Sequence, residues 1–254
     1  MQDKQFVKSL FKALSIVELL DERGEMGVTE IGRALGLDKS TVFRLLSSLK
    51  ERGYAAINPH TQKYSNSGKF FILAQGVLRR CKINPLLSPL LQKLAEETGE
   101  TVNLAAADGD AVLYLASHET DDIVKLASSI GKRRPLHCTA AGKAILAFHQ
   151  ENYVRSLYAH LPLTPFTPFT LVAMDALLED LAASRKRGYA LDNQEHNLNI
   201  RCAAIPLLSP RGEPVAAVSI SMPQFRHEAA PERYERCIAA LLRSSSSLTV
   251  ALLA

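Results

Sequence analysis

Apolar residues recur at helical spacing through the first part of the chain, and turn-forming residues divide that pattern into short elements. Val7, Leu10, Phe11, Leu14 and Val17 predict a first helix whose apolar side completes a small core. Val28, Ile31 and Leu35 make a second stripe, and Gly36 follows where the backbone turns sharply without a Cβ penalty. A third helix opens at Asp38, whose carboxylate can cap the free amides of the first turn. Val42, Leu45, Leu46 and Leu49 then form its i, i+3, i+4, i+7 inner face. Gly32, four residues before Gly36, supports a close approach at the bend. The outer face of the third helix is Lys39, Ser40, Thr41, Arg44 and Ser48. Hydroxyls and cations at the N-terminal end of an outward helix are suited to phosphates and base edges in a DNA major groove. Tyr54 to Tyr64 predicts two short strands around an Asn-Pro-His-Thr turn. Such a hairpin beside a helix pair makes a winged helix-turn-helix.

Gly68 to Arg80 continues as a helix with Phe71, Ala74, Val77 and Leu78 on its apolar side, and the two prolines of Cys81 to Pro89 mark a boundary after it. The expected organisation is a DNA-binding domain over 1–67, a linker helix over 68–84 and a second domain over 85–254. In the second domain, Leu86 to Glu97 has helical spacing and is closed by Gly99. Thr101 to Ala107 and Ala111 to Ser117 flank Asp108-Gly109-Asp110 as a hairpin, and Ile123 to Ser128 can add a third strand. Helical patterns follow at Thr139 to His149, Glu151 to His160 and Ala173 to Arg187. A second hairpin joins Cys202 to Leu208 with Pro214 to Met222, and a last helix begins near Pro231, weakened by Ser244 to Ser247. This order predicts an α+β domain, an antiparallel sheet flanked by helices.

Charge sharpens the division. The net charge of +4 is modest, but residues 1–80 hold 13 Lys and Arg against 8 Asp and Glu, while the remainder is nearly neutral. A cationic module fits a polyanionic partner, attached to a module with another task. The apolar stretches are interrupted well short of about 20 residues, and the first residues lack the apolar centre of a signal peptide, so no membrane association and a cytoplasmic location are expected. Cys81, Cys138, Cys202 and Cys237 are widely separated without a Cys-x-x-Cys pair, which argues against a zinc ribbon or a disulfide framework.

Two segments of the second domain could carry chemistry. From Arg134 to Lys143 (RPLHCTAAGK) a loop of small residues enters a helix, where free amides and the helix dipole suit a carboxylate or phosphate; a tight packing turn would use the same residues. From Gly188 to Met222, Asp192, Cys202, Ser219 and Ser221 offer hydrogen bonds, and the spacing of the two serines puts them on one strand face. A polar ligand would satisfy them, though ordinary sheet serines share that spacing. Two other chemistries use the same residue types. A nucleophile–base arrangement of Cys202 or Cys138 with His137 or His196, oriented by Asp192, lacks any surrounding nucleophile signature. A metal site of Cys202, His137, His196 or Asp192 lacks paired ligand spacing.

The segments VKSLFKALSIVELL, GLDKSTVFRLLSSLKERGY, HCTAAGKAILA and GYALDNQEHNLNIRCAAIPLLSPRGEPVAAVSIS occur in order, and the chain resembles the IclR family of bacterial transcriptional regulators over about Val7 to Met222. The resemblance implies an N-terminal winged helix-turn-helix domain, a linker helix and a C-terminal GAF-like effector-binding domain. It implies a homodimer or dimer of dimers on palindromic double-stranded operator DNA, usually as a repressor. No catalytic activity, cofactor or metal is implied. The implied effector is a small organic acid, whether a keto acid, a sugar acid or an aromatic acid. Its polar contacts would be Asp192, Cys202, Ser219, Ser221 and the amides of Ala140 and Ala141, under an apolar lid of Ile123 and Leu126. The chain departs from the family at three places. Gln194-Glu195 stands where an acidic pair is common. Asn199 replaces a frequent glycine, Asn being tolerated at positive φ. Tyr64-Ser65 replaces Tyr-Arg in the wing, so that one phosphate contact is either missing or supplied by Lys63 or Lys69.

Overall fold

The computed structural model describes residues 7–80, 86–119 and 130–253. They form two compact units, Met1–Val77 and Leu78–Ala254.

In the first unit, helices α1 (Lys8–Arg23), α2 (Val28–Leu35) and α3 (Lys39–Glu51) precede the wing strands β1 (Ala55–Ile57) and β2 (Tyr64–Asn66). The bend follows from two glycines. Gly36 adopts φ 65° and its amide returns to the Gly32 carbonyl, which also accepts from the Leu37 amide at 2.9 Å. A Cβ on Gly32 would lie 2.7 Å from the Leu37 carbonyl oxygen, so this approach needs glycine. Asp38 caps α3 as expected, accepting from the Thr41 amide at 2.8 Å and the Ser40 hydroxyl at 2.6 Å. Ile31, Val42, Leu46 and Tyr64 fill the core. The contribution of α1 differs from expectation. Val7, Leu10, Phe11 and Leu14 are exposed, and Ile16, Leu19 and Leu20 face inward instead. The helix carries two apolar stripes, and a unit this small covers only one. Met26 adds an unforeseen rung beside the wing, exchanging backbone hydrogen bonds with Tyr64 at 2.9 and 2.8 Å. Within the range expected to form a linker helix, α4 (Lys69–Arg80) is helical, with Phe71, Ile72 and Leu73 exposed, and 81–84 lie outside the described residues.

The second unit is built on α5 (Leu87–Thr98), β3 (Thr101–Asp108), β4 (Ala111–His118), β5 (Arg133–Pro135), α6 (Ala140–Leu146), α7 (Glu151–Leu157), α8 (Met174–Arg187), β6 (Ala190–Asn193), β7 (Ile200–Leu208), β8 (Pro214–Pro223), α9 (Gln224–Ala229) and α10 (Pro231–Leu253). The strands make one antiparallel sheet in the order β5-β4-β3-β8-β7-β6. Pairing of β3 with β8 joins the two predicted hairpins and sets Asn103 opposite Ser219. Because alternate residues of a strand face opposite ways, each face has its own core. Val102, Leu104, Ile205, Val218 and Ile220 pack with α5 and α10. Ala105, Val112, Ala204 and Ala217 pack with α6, α7 and α8.

Strands β5 and β6 and helix α9 escaped the sequence pattern because each spans only three to six residues. The expected strand Ile123 to Ser128 lies outside the described residues. The expected last helix, α10, runs unbroken through the weakening run Ser244 to Ser247. The small propensity cost of serine is outweighed by burial of Leu241, Leu248 and Leu252 on either side. This helix is long and apolar enough to cross a membrane by composition, which interrupted apolar runs had not suggested, but it lies against the sheet as a core element.

Candidate functional site

On α3, Lys39, Ser40, Arg44 and Ser48 are exposed and Thr41 is half-buried, while Val42 and Leu46 anchor the helix from below. Lys39 and Arg44 form no ion pair among the described residues, so both cations are available to a polyanion. The Ser40 and Ser48 hydroxyls donate to Asp38 and to the Arg44 carbonyl respectively, which leaves their lone pairs to accept. Thr41, Arg44 and Ser48 border a groove with Ser9 and Lys12 of α1, adding a third cation. Phe43, 55% exposed, was missed by the sequence reading; it lies four residues after Lys39, and its ring is suited to apolar contact with a thymine methyl. The wing lysines are occupied. Lys63 pairs with Glu30 at 3.0 Å, and Glu30 also accepts from the Gly27 amide. Lys69 donates to the Arg52 carbonyl at 2.6 Å and lies 4.3 Å from the Tyr54 ring centre.

In the second unit, a cavity of about 250 Å³ opens on the sheet face below α6. Ala140, Ala141, Asp192, Cys202, Ser219 and Ser221, flagged from sequence, all line it; Ile123 and Leu126 lie outside the described residues. Strand register explains the convergence. Asp192 is opposite Cys202, Cys202 opposite Ser221, and Ser219 opposite Asn103, so polar side chains from four adjacent strands share one face. The Cys202 thiol donates to Ser221 Oγ at 3.2 Å, and Asn103 Oδ1 accepts from the Ser117 hydroxyl at 2.8 Å.

Asp192 is 4% exposed. One oxygen accepts from the Glu195 amide at 2.7 Å and the His196 amide at 3.4 Å. Burial, reinforced by the Glu195 charge, pushes its carboxyl up to about 7. His196 is held below the usual imidazole range by burial and by Arg134, which also lines the cavity. Burial pushes the Cys138 thiol up to about 12 and raises that of Cys202, the reverse of what a thiolate nucleophile requires.

The loop-to-helix segment serves both purposes considered for it. A Cβ on Gly142 would lie 2.2 Å from the Leu136 carbonyl oxygen, so helix and loop pack backbone against backbone. The Thr139 hydroxyl and carbonyl take the Gly142 and Lys143 amides, leaving those of Ala140 and Ala141 without an acceptor among the described residues. Beneath them Lys143, 1% exposed, reaches Glu195 at 2.6 Å and Asp180 of α8 at 2.9 Å. Glu195 is therefore a buried tie between α6 and the turn after β6. The left-handed backbone falls at Gln194 (φ 65°) and not at Asn199. Thr101 and Asn103 also line the cavity and were missed, although they alternate with apolar residues as Ser219 and Ser221 do. Arg134 and Lys132 could be placed only once β5 was known.

The model of the IclR helix-turn-helix domain matches residues 9–59, and that of the bacterial transcriptional regulator IclR C-terminal region matches residues 75–249. The chain belongs to the IclR family. Among its relatives, the HTH-type transcriptional regulator BhcR of Paracoccus denitrificans is 36% identical, covering 89% of this chain and 81% of that protein. The transcriptional repressor IclR of Escherichia coli is 34% identical, covering 87% and 81%. The crystal structure of Thermotoga maritima IclR superposes with a TM-score of 0.82 at 29% identity, covering 97% and 99%. An IclR homologue from Microbacterium hydrocarbonoxydans, complexed with 4-hydroxybenzoate, shares the fold at 21% identity, with a TM-score of 0.78 and 96% and 98% covered. This IclR protein is thus a DNA-binding transcriptional regulator, of a family named for regulation and not for catalysis.

Proposed function

We propose that this regulator is a cytoplasmic repressor, that it reads operator DNA with Lys39, Ser40, Thr41 and Arg44, and that a small organic acid in the second unit controls that binding. Keto, sugar and aromatic acids are the classes considered. The observation that carries the effector reading is the convergence of Asp192, Cys202, Ser219, Ser221 and the Ala140 and Ala141 amides on one cavity. A repressor-named relative and a homologue solved with an organic acid support it. Lys63 contributes to DNA binding only by leaving Glu30 for a phosphate, a small cost for an exposed pair. The exposed apolar stripe of Val7, Leu10, Phe11 and Leu14 supports assembly as a homodimer or dimer of dimers. Two α3 helices must then enter successive major grooves about 34 Å apart, so a modest rotation between subunits costs one half-site its contacts. A coupling of about 1 to 3 kcal/mol gives a several-fold to hundredfold change in occupancy.

Thermal unfolding of the purified protein across a panel of small organic acids tests this, since a ligand binding only the native state raises the midpoint. An acid that raises it and also releases DNA, with both effects lost in the Ser219→Ala, Ser221→Ala double variant, is the expected result. An unchanged response in that variant places the effector elsewhere.

A further inference from the structure

The cavity's walls also bear on which acid it takes, an inference that rests on the effector reading above. Among the described lining residues only Ala140, Ala141 and Ile200 lack a hydrogen-bonding side chain, although the cavity surface they form is divided about evenly between polar and apolar atoms. Three of these polar groups face the cavity with no hydrogen-bond partner in the described part of the protein. Ser219 is 2% exposed and Thr101 4%, and neither hydroxyl has a partner among the described residues. The second oxygen of Asp192 is likewise unpartnered, the first being taken by the Glu195 and His196 amides. These groups sit on β3, β6 and β8, so the unmet hydrogen bonds are spread across the sheet and not gathered at one end. A ligand satisfying them must carry hydroxyls along its length, and the Asp192 oxygen calls for a donor. Arg134, Lys132 and the Ala140 and Ala141 amides offer the complementary surroundings for a carboxylate.

Size narrows the class further. A dry cavity of about 150 Å³ holds a benzene ring. In proportion, a cavity of about 250 Å³ holds about ten non-hydrogen atoms. A two- or three-carbon keto acid leaves much of that volume and most of the hydroxyls unmet. An aromatic acid fits by size but lays an apolar ring against Thr101 and Ser219, desolvating them without replacing their hydrogen bonds. We propose that the effector is a polyhydroxylated carboxylic acid of about four or five carbons, its hydroxyls held by Thr101, Ser219 and Asp192.

Isothermal titration of the full chain with L-threonate, D-xylonate, D-gluconate, D-galactonate, the neutral polyol D-glucitol, pyruvate, glyoxylate and 4-hydroxybenzoate tests this. At least one polyhydroxy acid should bind tenfold or more tightly than pyruvate, glyoxylate and 4-hydroxybenzoate, and glucitol should bind far more weakly than that acid. Ser219→Ala and Thr101→Val, each verified as folded by circular dichroism, should weaken the polyhydroxy acid by about five- to tenfold. Tighter binding of pyruvate, glyoxylate or 4-hydroxybenzoate overturns the inference and leaves an acid-controlled regulator standing. Equal affinity for glucitol removes the carboxylate from it. Binding of no acid overturns the effector reading itself, and the inference with it.

Discussion

Replacing Asp192 by Asn isolates the cost of holding a carboxyl in the cavity wall. Asn preserves the shape and the acceptor that serves the Glu195 and His196 amides, and removes only the ionisation. In the folded protein the Asp192 carboxyl titrates at about 7 instead of its ordinary 3.8. For an acid whose value is raised by folding, the native state holds more protons than the unfolded chain between those limits. The Asp192 contribution to wild-type stability therefore falls as pH rises from about 4 to about 7 and is flat above. At 1.36 kcal/mol per unit, the full penalty is about 4 kcal/mol, more than half of which develops between pH 5 and pH 8. The assay is urea unfolding of both proteins at pH 5, 6, 7 and 8, following the helix signal because the chain has no tryptophan. The stability of Asp192→Asn relative to wild type should climb with pH and level off just above pH 7. A difference that stays constant across this range, or that declines, refutes the assignment of a raised carboxyl to this position.

Gly142→Ala should lower the stability of the second unit by about 3 kcal/mol or prevent its folding, because the added carbon meets backbone that cannot rotate away; calorimetry and soluble yield read this. Lys143→Met strands Glu195 and Asp180 without their counter-charge and should cost about 3 to 5 kcal/mol, measured by denaturant unfolding at pH 7 and eased at lower pH as Glu195 is protonated. Arg44→Ala should weaken specific DNA binding by about 1 to 3 kcal/mol in fluorescence anisotropy if the guanidinium reads a base, with specificity relaxed at one base pair. A uniform loss across sequences with a shallower salt dependence would reassign Arg44 to the phosphate backbone.

Local chemistry decided what could be read from the sequence. The bend between α2 and α3 was legible because Gly36 and Asp38 solve backbone problems within a few residues of themselves. Both hairpins of the sheet were legible from their turn residues, and Ser219 and Ser221 from strand periodicity. The face of α1 was not, because its two apolar stripes are locally equivalent and only the packing of α2, α3 and the wing chooses Ile16, Leu19 and Leu20. Strands β5 and β6 were hidden for a similar reason, being too short to show a period and defined by the neighbours they pair with. That cost the reading Arg134 and the strand context of Asp192. The Lys143 pairings with Asp180 and Glu195 were beyond reach, since their partners lie 37 and 52 positions away in the chain.

The alternation along β8 separates two kinds of heritable change. Ile220 belongs to the aliphatic layer under α10, while Ser219 and Ser221 on either side of it face the cavity, and β3 interleaves Val102 with Thr101 and Asn103 in the same way. Substitutions that retune what the cavity accepts can therefore accumulate one letter at a time without disturbing the layer that keeps the sheet folded. A lineage of such proteins can diversify its chemical vocabulary while its architecture stays still, and a designed sensor could be recoded at those alternate positions.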